Sequence, residues 1–253
     1  MLVHSPDLRI GLGRWRNAQK YEQGFWQRLG ENIEAGTREQ LDWYQWRANR
    51  LEERLAASPH PVPRGGKVLE IGSGPIGIVN FLQWGERYAI DPLEHFYRTQ
   101  PTLAALRRPG VSYLDGAGES LPFEADAFGL VIIDNVIDHT YSPGRILQEI
   151  RRVLRPDGCL FLSVNVHTRW GAWLHSLLAV LRIDKGHPYT FTSESLRRLL
   201  AAHAFAVRSE RVEDYDEARR VDLQASSLKQ NVKGRLGLSE FSHSVLCQMA
   251  TAR

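Results

Sequence analysis

The chain has 253 residues, 43% of them hydrophobic and 24% charged, and its formal net charge of +3 mixes Lys and Arg among Asp and Glu. That length can bury a full core and suits one large α/β domain with additions, while the mixed charge argues against a concentrated basic surface for nucleic acid. The two cysteines, Cys159 and Cys247, lie in separate apolar runs without the Cys/His clustering of a zinc site, so no metal is expected and both read as buried thiols of a reducing compartment.

The amino terminus, MLVHSPDLRIGLGRWR, lacks the apolar core of a secretory signal, and the longest apolar run, residues 170–181, falls short of a bilayer span. A cytoplasmic location with no membrane partner is expected. Leu41, Tyr44, Ala48, Leu51 and Leu55 recur at three- and four-residue spacing, which predicts an amphipathic helix ending near Ala57. The prolines of SPHPVPRGG, residues 58–66, then form a stiff linker. Residues 1–60 therefore read as an amino-terminal helical extension and residues 61–253 as the main domain.

From Lys67 onward, apolar strand-like runs alternate with helical patterns, the signature of a parallel sheet covered on both faces. Strands are predicted at 68–71, 88–91, 111–114, 130–134, 159–165, 205–211 and 244–249. Helices are predicted at 75–83, 94–107, 144–154 and 193–203. Two long connections, residues 166–191 and 213–241, read as lid insertions. The first carries Trp170, Trp173, Leu174, Leu177, Leu178 and Leu181 at helical spacing, a stripe suited to roofing an apolar pocket or to burial against the domain or a second subunit of a homodimer.

The stretch KVLEIGSGPIG, residues 67–77, turns an apolar strand into Gly72, Gly74 and Gly77, the G-x-G-x-x-G spacing of a nucleotide-binding turn. Asp91 ends the next strand about 20 residues on, where a carboxylate accepts both hydroxyls of a ribose. Both features fit a nicotinamide dinucleotide and S-adenosylmethionine alike. Glu70 tips the balance by charge, because a carboxylate beside the turn opposes a pyrophosphate and favours an ammonium and a sulfonium.

Together with VLEIGSGPIG and YAIDPL, the block from Gly116 to Asn165, GAGESLPFEADAFGLVIIDNVIDHTYSPGRILQEIRRVLRPDGCLFLSVN, resembles class I S-adenosylmethionine-dependent methyltransferases of the broad quinone, sterol and natural-product group. The resemblance covers residues 68–165. It implies a Rossmann-like, doubly wound, seven-stranded, mostly parallel sheet with an antiparallel last strand, and S-adenosylmethionine as cofactor. It places Glu70, Gly72, Ser73 and Gly74 at the cofactor's methionine end, Asp91 on the ribose, and Pro92 and Leu93 beside the adenine. Ala117 and Gly118 fall at the adenine edge with Glu119 next to them, and Ala117 stands where many relatives carry an aspartate. Asp134 and Asn135 end the fourth strand, facing donor and acceptor.

Methyl transfer from a sulfonium needs no metal; the protein aligns the acceptor, excludes water and, for a hydroxyl, removes a proton. His139, in NVIDH with Asp138 before it, is the first candidate base, since an imidazole with a reference pKa of about 6.5 is mostly neutral at cytoplasmic pH. His167 and His187 are alternatives at the sheet's carboxyl end and in the first lid. Trp43, Tyr44 and Trp46 are candidates to close over the cofactor, with Arg47 reaching its carboxylate, or else the helix is a plain cap with half-buried tryptophans. The expected reaction is O-methylation of a small molecule in biosynthesis. The rivals are a catalytically silent binding module and an NAD(P)-dependent oxidoreductase, which leaves Glu70 and the ESLPF to NVIDH series unexplained.

Overall fold

The computed structural model describes residues 9–36, 41–58, 62, 64–180 and 188–250. Two helices, Leu12–Glu34 (α1) and Trp43–Ala56 (α2), precede the sheet. In α2, Tyr44, Ala48, Leu51 and Leu55 are buried on one face, so the three- and four-residue spacing is what docks it.

The strands are Lys67–Ile71 (β1), Glu86–Asp91 (β2), Val111–Asp115 (β3), Phe128–Asp134 (β4), Leu154–Val166 (β5), Phe205–Val212 (β6) and Phe241–Met249 (β7). They form one seven-stranded sheet in the order β3-β2-β1-β4-β5-β7-β6. β1 pairs in parallel with β2 and β4, and β7 runs antiparallel between β5 and β6. The near-continuous burial of FGLVIID marks β4 as a central strand covered on both faces. Strand alternation divides the core: Leu69, Ile71 and Ile133 pack with Ile146 and Ile150 on one face, while Val68, Leu130 and Ile132 pack with Leu51 and Trp26 on the other.

One row of the sheet bears on the site. Asp134 of β4 lies opposite Ser163 of β5, Ser163 opposite Ser244 of β7, and Ser244 opposite Arg211 of β6.

Two predicted helices differ from the structure. Over 75–83 there is a turn and then a short 3-10 helix, Ile78–Phe81, because Gly74 and Gly77 hold φ of 60° and 80°, which no right-handed helix continues through. The helix predicted over 94–107 is two short helices, Glu94–Arg98 (α3) and Pro101–Ala104 (α4), since Gln100 before Pro101 takes the extended backbone that proline imposes on its predecessor. Pro143–Val153 (α5) and Ser193–Ala202 (α7) form where expected; Ser142 caps the former and Thr192, with Ser195, the latter.

The long connections carry Arg169–Val180 (α6), Tyr215–Gln224 (α8) and Leu228–Leu236 (α9). α6 rests on the body through Ala172 and through Gly171, whose added Cβ would meet the Gly237 carbonyl at 2.8 Å. Trp170, Trp173 and Leu177 of the predicted stripe are instead exposed, the two indoles stacked 5.1 Å apart, and Leu181 lies outside the described residues.

Candidate active site

The glycine turn is built against its neighbours. Gly72 has φ of 70°, and its N–H donates to the Ile90 carbonyl at 2.8 Å, tying β1 to β2 where both strands end. A Cβ on Gly74 would stand 2.4 Å from Tyr44 Oη, so only glycine fits beneath α2. Tyr44 Oη donates to the Ser73 carbonyl at 3.1 Å; burial raises this phenol well above its ordinary pKa and keeps it a donor.

Asp91 is fixed by two backbone donors: Gly74 N–H to Oδ2 at 2.9 Å and Leu93 N–H to Oδ1 at 2.8 Å. Each carboxylate oxygen retains acceptor capacity beyond that single bond. Burial nevertheless lifts its pKa to about 6.

Glu70 was expected to act as a negative charge beside the turn, and its burial opposes that charge. Its Oε2 accepts the Val79 N–H at 2.9 Å at the start of the 3-10 helix, and burial, outweighing the Val79 and Ile78 backbone bonds, raises its pKa to about 8. A dinucleotide is disfavoured on different ground: the helix whose N-terminus would face a pyrophosphate is not formed after this turn.

These residues line a first cavity of about 120 Å³ that opens at the carboxyl ends of β1, β2 and β4. Glu70, Gly72, Ser73 and Gly74 come from β1 and its turn, Asp91, Pro92 and Leu93 from the end of β2, and Ala117, Gly118 and Glu119 from the loop after β3. Glu119 Oε1 also accepts the N–H groups of Tyr141 and Ser142 at 2.8 and 3.0 Å, holding the entry to α5. Asp134 and Asn135 close the cavity from β4. Asn135 holds φ of 56°, a conformation few residues but glycine adopt and one that asparagine tolerates better than most.

The sequence reading missed one wall. Trp15, Gln19, Glu22 and Trp26 of α1 line the first cavity, and their spacing of four, three and four residues is the helical signal that could have found them. From α2, Tyr44 and Arg47 also line it, while Trp46 is exposed and borders a second cavity. Arg47 Nη1 bonds Asp134 Oδ2 at 2.8 Å, and Asp134 Oδ1 accepts from Ser163 Oγ.

Of the three histidines, His139 lines the first cavity, with Nε2 3.8 Å from Asp138 Oδ2. His167 does not reach it. Its ring stacks on His175 of α6 at 4.9 Å and its Nε2 lies 3.5 Å from Glu240 Oε1, which wedges it into a small separate cavity between α6 and the approach to β7. His187 lies outside the described residues.

The second cavity, about 220 Å³, shares Arg47, Asp134 and Asn135 with the first. It continues along α2 through Arg50 and Arg54 and across the sheet through Ser163 and Ser244. Among the described residues, no group of three or more His, Cys, Asp or Glu is placed to hold a metal ion, and no helix is long and apolar enough to cross a membrane.

Residues 69–162 match the family model described as a methyltransferase domain. An uncharacterized methyltransferase of Mycobacteroides abscessus is 31% identical over 106 residues, 41% of this chain and 41% of that protein. Human thiol S-methyltransferase is 34% identical over 114 residues, 43% of this chain and 47% of that protein. These alignments span less than half the length of the curated relatives. Among solved structures, the geranyl diphosphate C-methyltransferase of Streptomyces coelicolor, in complex with S-adenosyl-L-homocysteine, shares the fold with a TM-score of 0.56 at 10% identity, over 81% of this chain and 79% of that one. The matched residues, the strand order and the cavity at the strand ends agree: residues 69–162 match a methyltransferase domain, within a sheet that has the fold of class I S-adenosylmethionine-dependent methyltransferases.

Proposed function

We propose that this protein transfers a methyl group from S-adenosylmethionine to an oxygen of a small acceptor molecule. The observation that carries the reading is the meeting of two cavities at Arg47, Asp134 and Asn135, where the end of β4 forms a common wall. When bound, the cofactor supplies a methyl group on a sulfonium, already activated for displacement.

The residues present fit that cofactor. Asp91 has oxygen acceptors for the ribose hydroxyls, the turn at Gly72 and Gly74 lets backbone approach the methionine end, and Pro92 and Leu93 flank the adenine side. Trp15, Gln19, Glu22 and Trp26 of α1 and Tyr44 and Arg47 of α2 cover this cavity, which limits the water that reaches a bound ligand. His139 takes the proton of the acceptor hydroxyl, and the Asp138 carboxylate lies 3.8 Å from its Nε2.

Calorimetric titration of S-adenosylhomocysteine and NAD tests the cofactor assignment. S-adenosylhomocysteine is expected to bind, and Asp91→Ala to weaken it by roughly tenfold or more, the scale of losing hydrogen bonds to a charged group. Saturable binding of NAD instead overturns the reading. With an acceptor that gives turnover, His139→Ala is expected to lower kcat by about 10²-fold or more while S-adenosylhomocysteine affinity holds. Unchanged kcat removes His139 from the base role.

A further inference from the structure

The second cavity has an unusual charge arrangement. Arg47, Arg50 and Arg54 lie along one side of α2 and all line it, facing two carboxylates, Asp134 and Glu213. Arg47 is paired with Asp134, and Arg50 bonds Glu213 Oε1 at 3.0 Å while its guanidinium covers the exposed Trp46 ring at 4.6 Å. Arg54 differs from both: it donates to Ser244 Oγ at 2.7 Å and Ser209 Oγ at 3.2 Å, and among the described residues it has no carboxylate partner. Burial, with Arg211 and Arg50 close by, lowers its pKa, as expected of a cation whose neighbours do not neutralise it.

Position along the sheet gives the cavity a direction. Asp134, Ser163 and Ser244 occupy one row on β4, β5 and β7, so the Arg54 contact lies two strand spacings from Asp134, about 10 Å. One end therefore touches the first cavity, and the other presents a guanidinium held only by hydroxyls. A planar guanidinium fork with donors to spare is suited to two oxygens of one anionic group.

We propose that the second cavity takes an acceptor bearing an oxyanion, a carboxylate or a phosphate monoester, seated on Arg54 and Arg50 about 10 Å from the end that receives the methyl group. The role of that end rests on the methyltransferase reading; the anion site itself does not. Glu213, at the rim with Arg50, is the group an incoming anion displaces or shares.

The test is calorimetric titration of benzoate, phenyl phosphate and neutral benzamide, on the protein saturated with S-adenosylhomocysteine and on the protein without it. An anion is expected to bind at least tenfold more tightly than benzamide. Arg54→Gln and, separately, the part-exposed Arg50→Gln are each expected to weaken the anion by roughly tenfold or more, leaving S-adenosylhomocysteine affinity unchanged. Preference for benzoate assigns a carboxylate, and preference for phenyl phosphate assigns a phosphate. The proposal is overturned if benzamide binds as well as the anions, if Arg50→Gln leaves anion affinity intact, or if neither anion binds at about 10 mM, a weak-binding limit. Failure of S-adenosylhomocysteine to bind counts against the methyltransferase reading alone, because the titration without it decides the anion site.

Discussion

Asp91 combines two backbone N–H bonds with a pKa raised by burial from 3.8 to about 6. A ribose hydroxyl donates to the carboxylate and less well to the acid, so protonation competes with ligand. The sign follows: affinity for S-adenosylhomocysteine is expected to be level above pH 7 and to fall below about pH 6, by up to tenfold per pH unit for one competing proton. Calorimetry from pH 5 to 8 checks this, and Asp91→Asn should flatten the profile. The place of Asp91 at the cavity was legible in the sequence because it depends on where a strand ends. Glu70 was legible as a residue of the site but not in its charge state, since formal charge is written in the sequence and desolvation is not.

At the scale of elements, α2 is held by what it buries, and α6 shows the contrast. Leu51 is fully buried between α2 and the sheet, whereas Leu177 of α6 is 51% exposed. Leu51→Ala is expected to cost about 3 kcal/mol and lower Tm by roughly 9 °C, while Leu177→Ala stays within about 0.5 kcal/mol. Thermal unfolding followed by circular dichroism measures both. Strands β1 and β4 and helices α5 and α7 could be read from apolar runs and periodicity, because burial leaves that pattern in the sequence. The missing helix at 75–83 could not. Its apolar residues, Ile76, Ile78 and Val79, are buried as a helical face would be, but the positive φ at Gly74 and Gly77 decides the backbone. The exposed indoles of α6 show the converse: helical spacing predicts a helix, not what covers it.

For the whole molecule, the sheet joins distant parts of the chain. Cys159 of β5 and Cys247 of β7 are both buried and free; burial raises the first thiol to about 12 and the second above its ordinary value. Ellman's reagent is expected to label neither cysteine in the native protein and both in denaturant, since the thiolate is the nucleophile and neither sulfur is accessible. Labelling before unfolding would mean that the β5–β7 pairing opens locally. The same pairing explains why the two cavities differed in legibility. Motif residues 70–139 supply much of the first within one continuous block, whereas the second combines α2 with β5, Glu213 and β7, so no single stretch of sequence announces it.

That division also sets an order in time. The walls of the first cavity run from Trp15 to Ile146, while the second still needs Glu213, Ser242 and Ser244. At ribosomal speeds of ~5–20 residues per second, the roughly 100 residues between Ile146 and Ser244 take about 5–20 s to synthesise. During that interval the nascent chain has every residue that lines the first cavity, and the second lacks the strand on which Arg54 comes to rest.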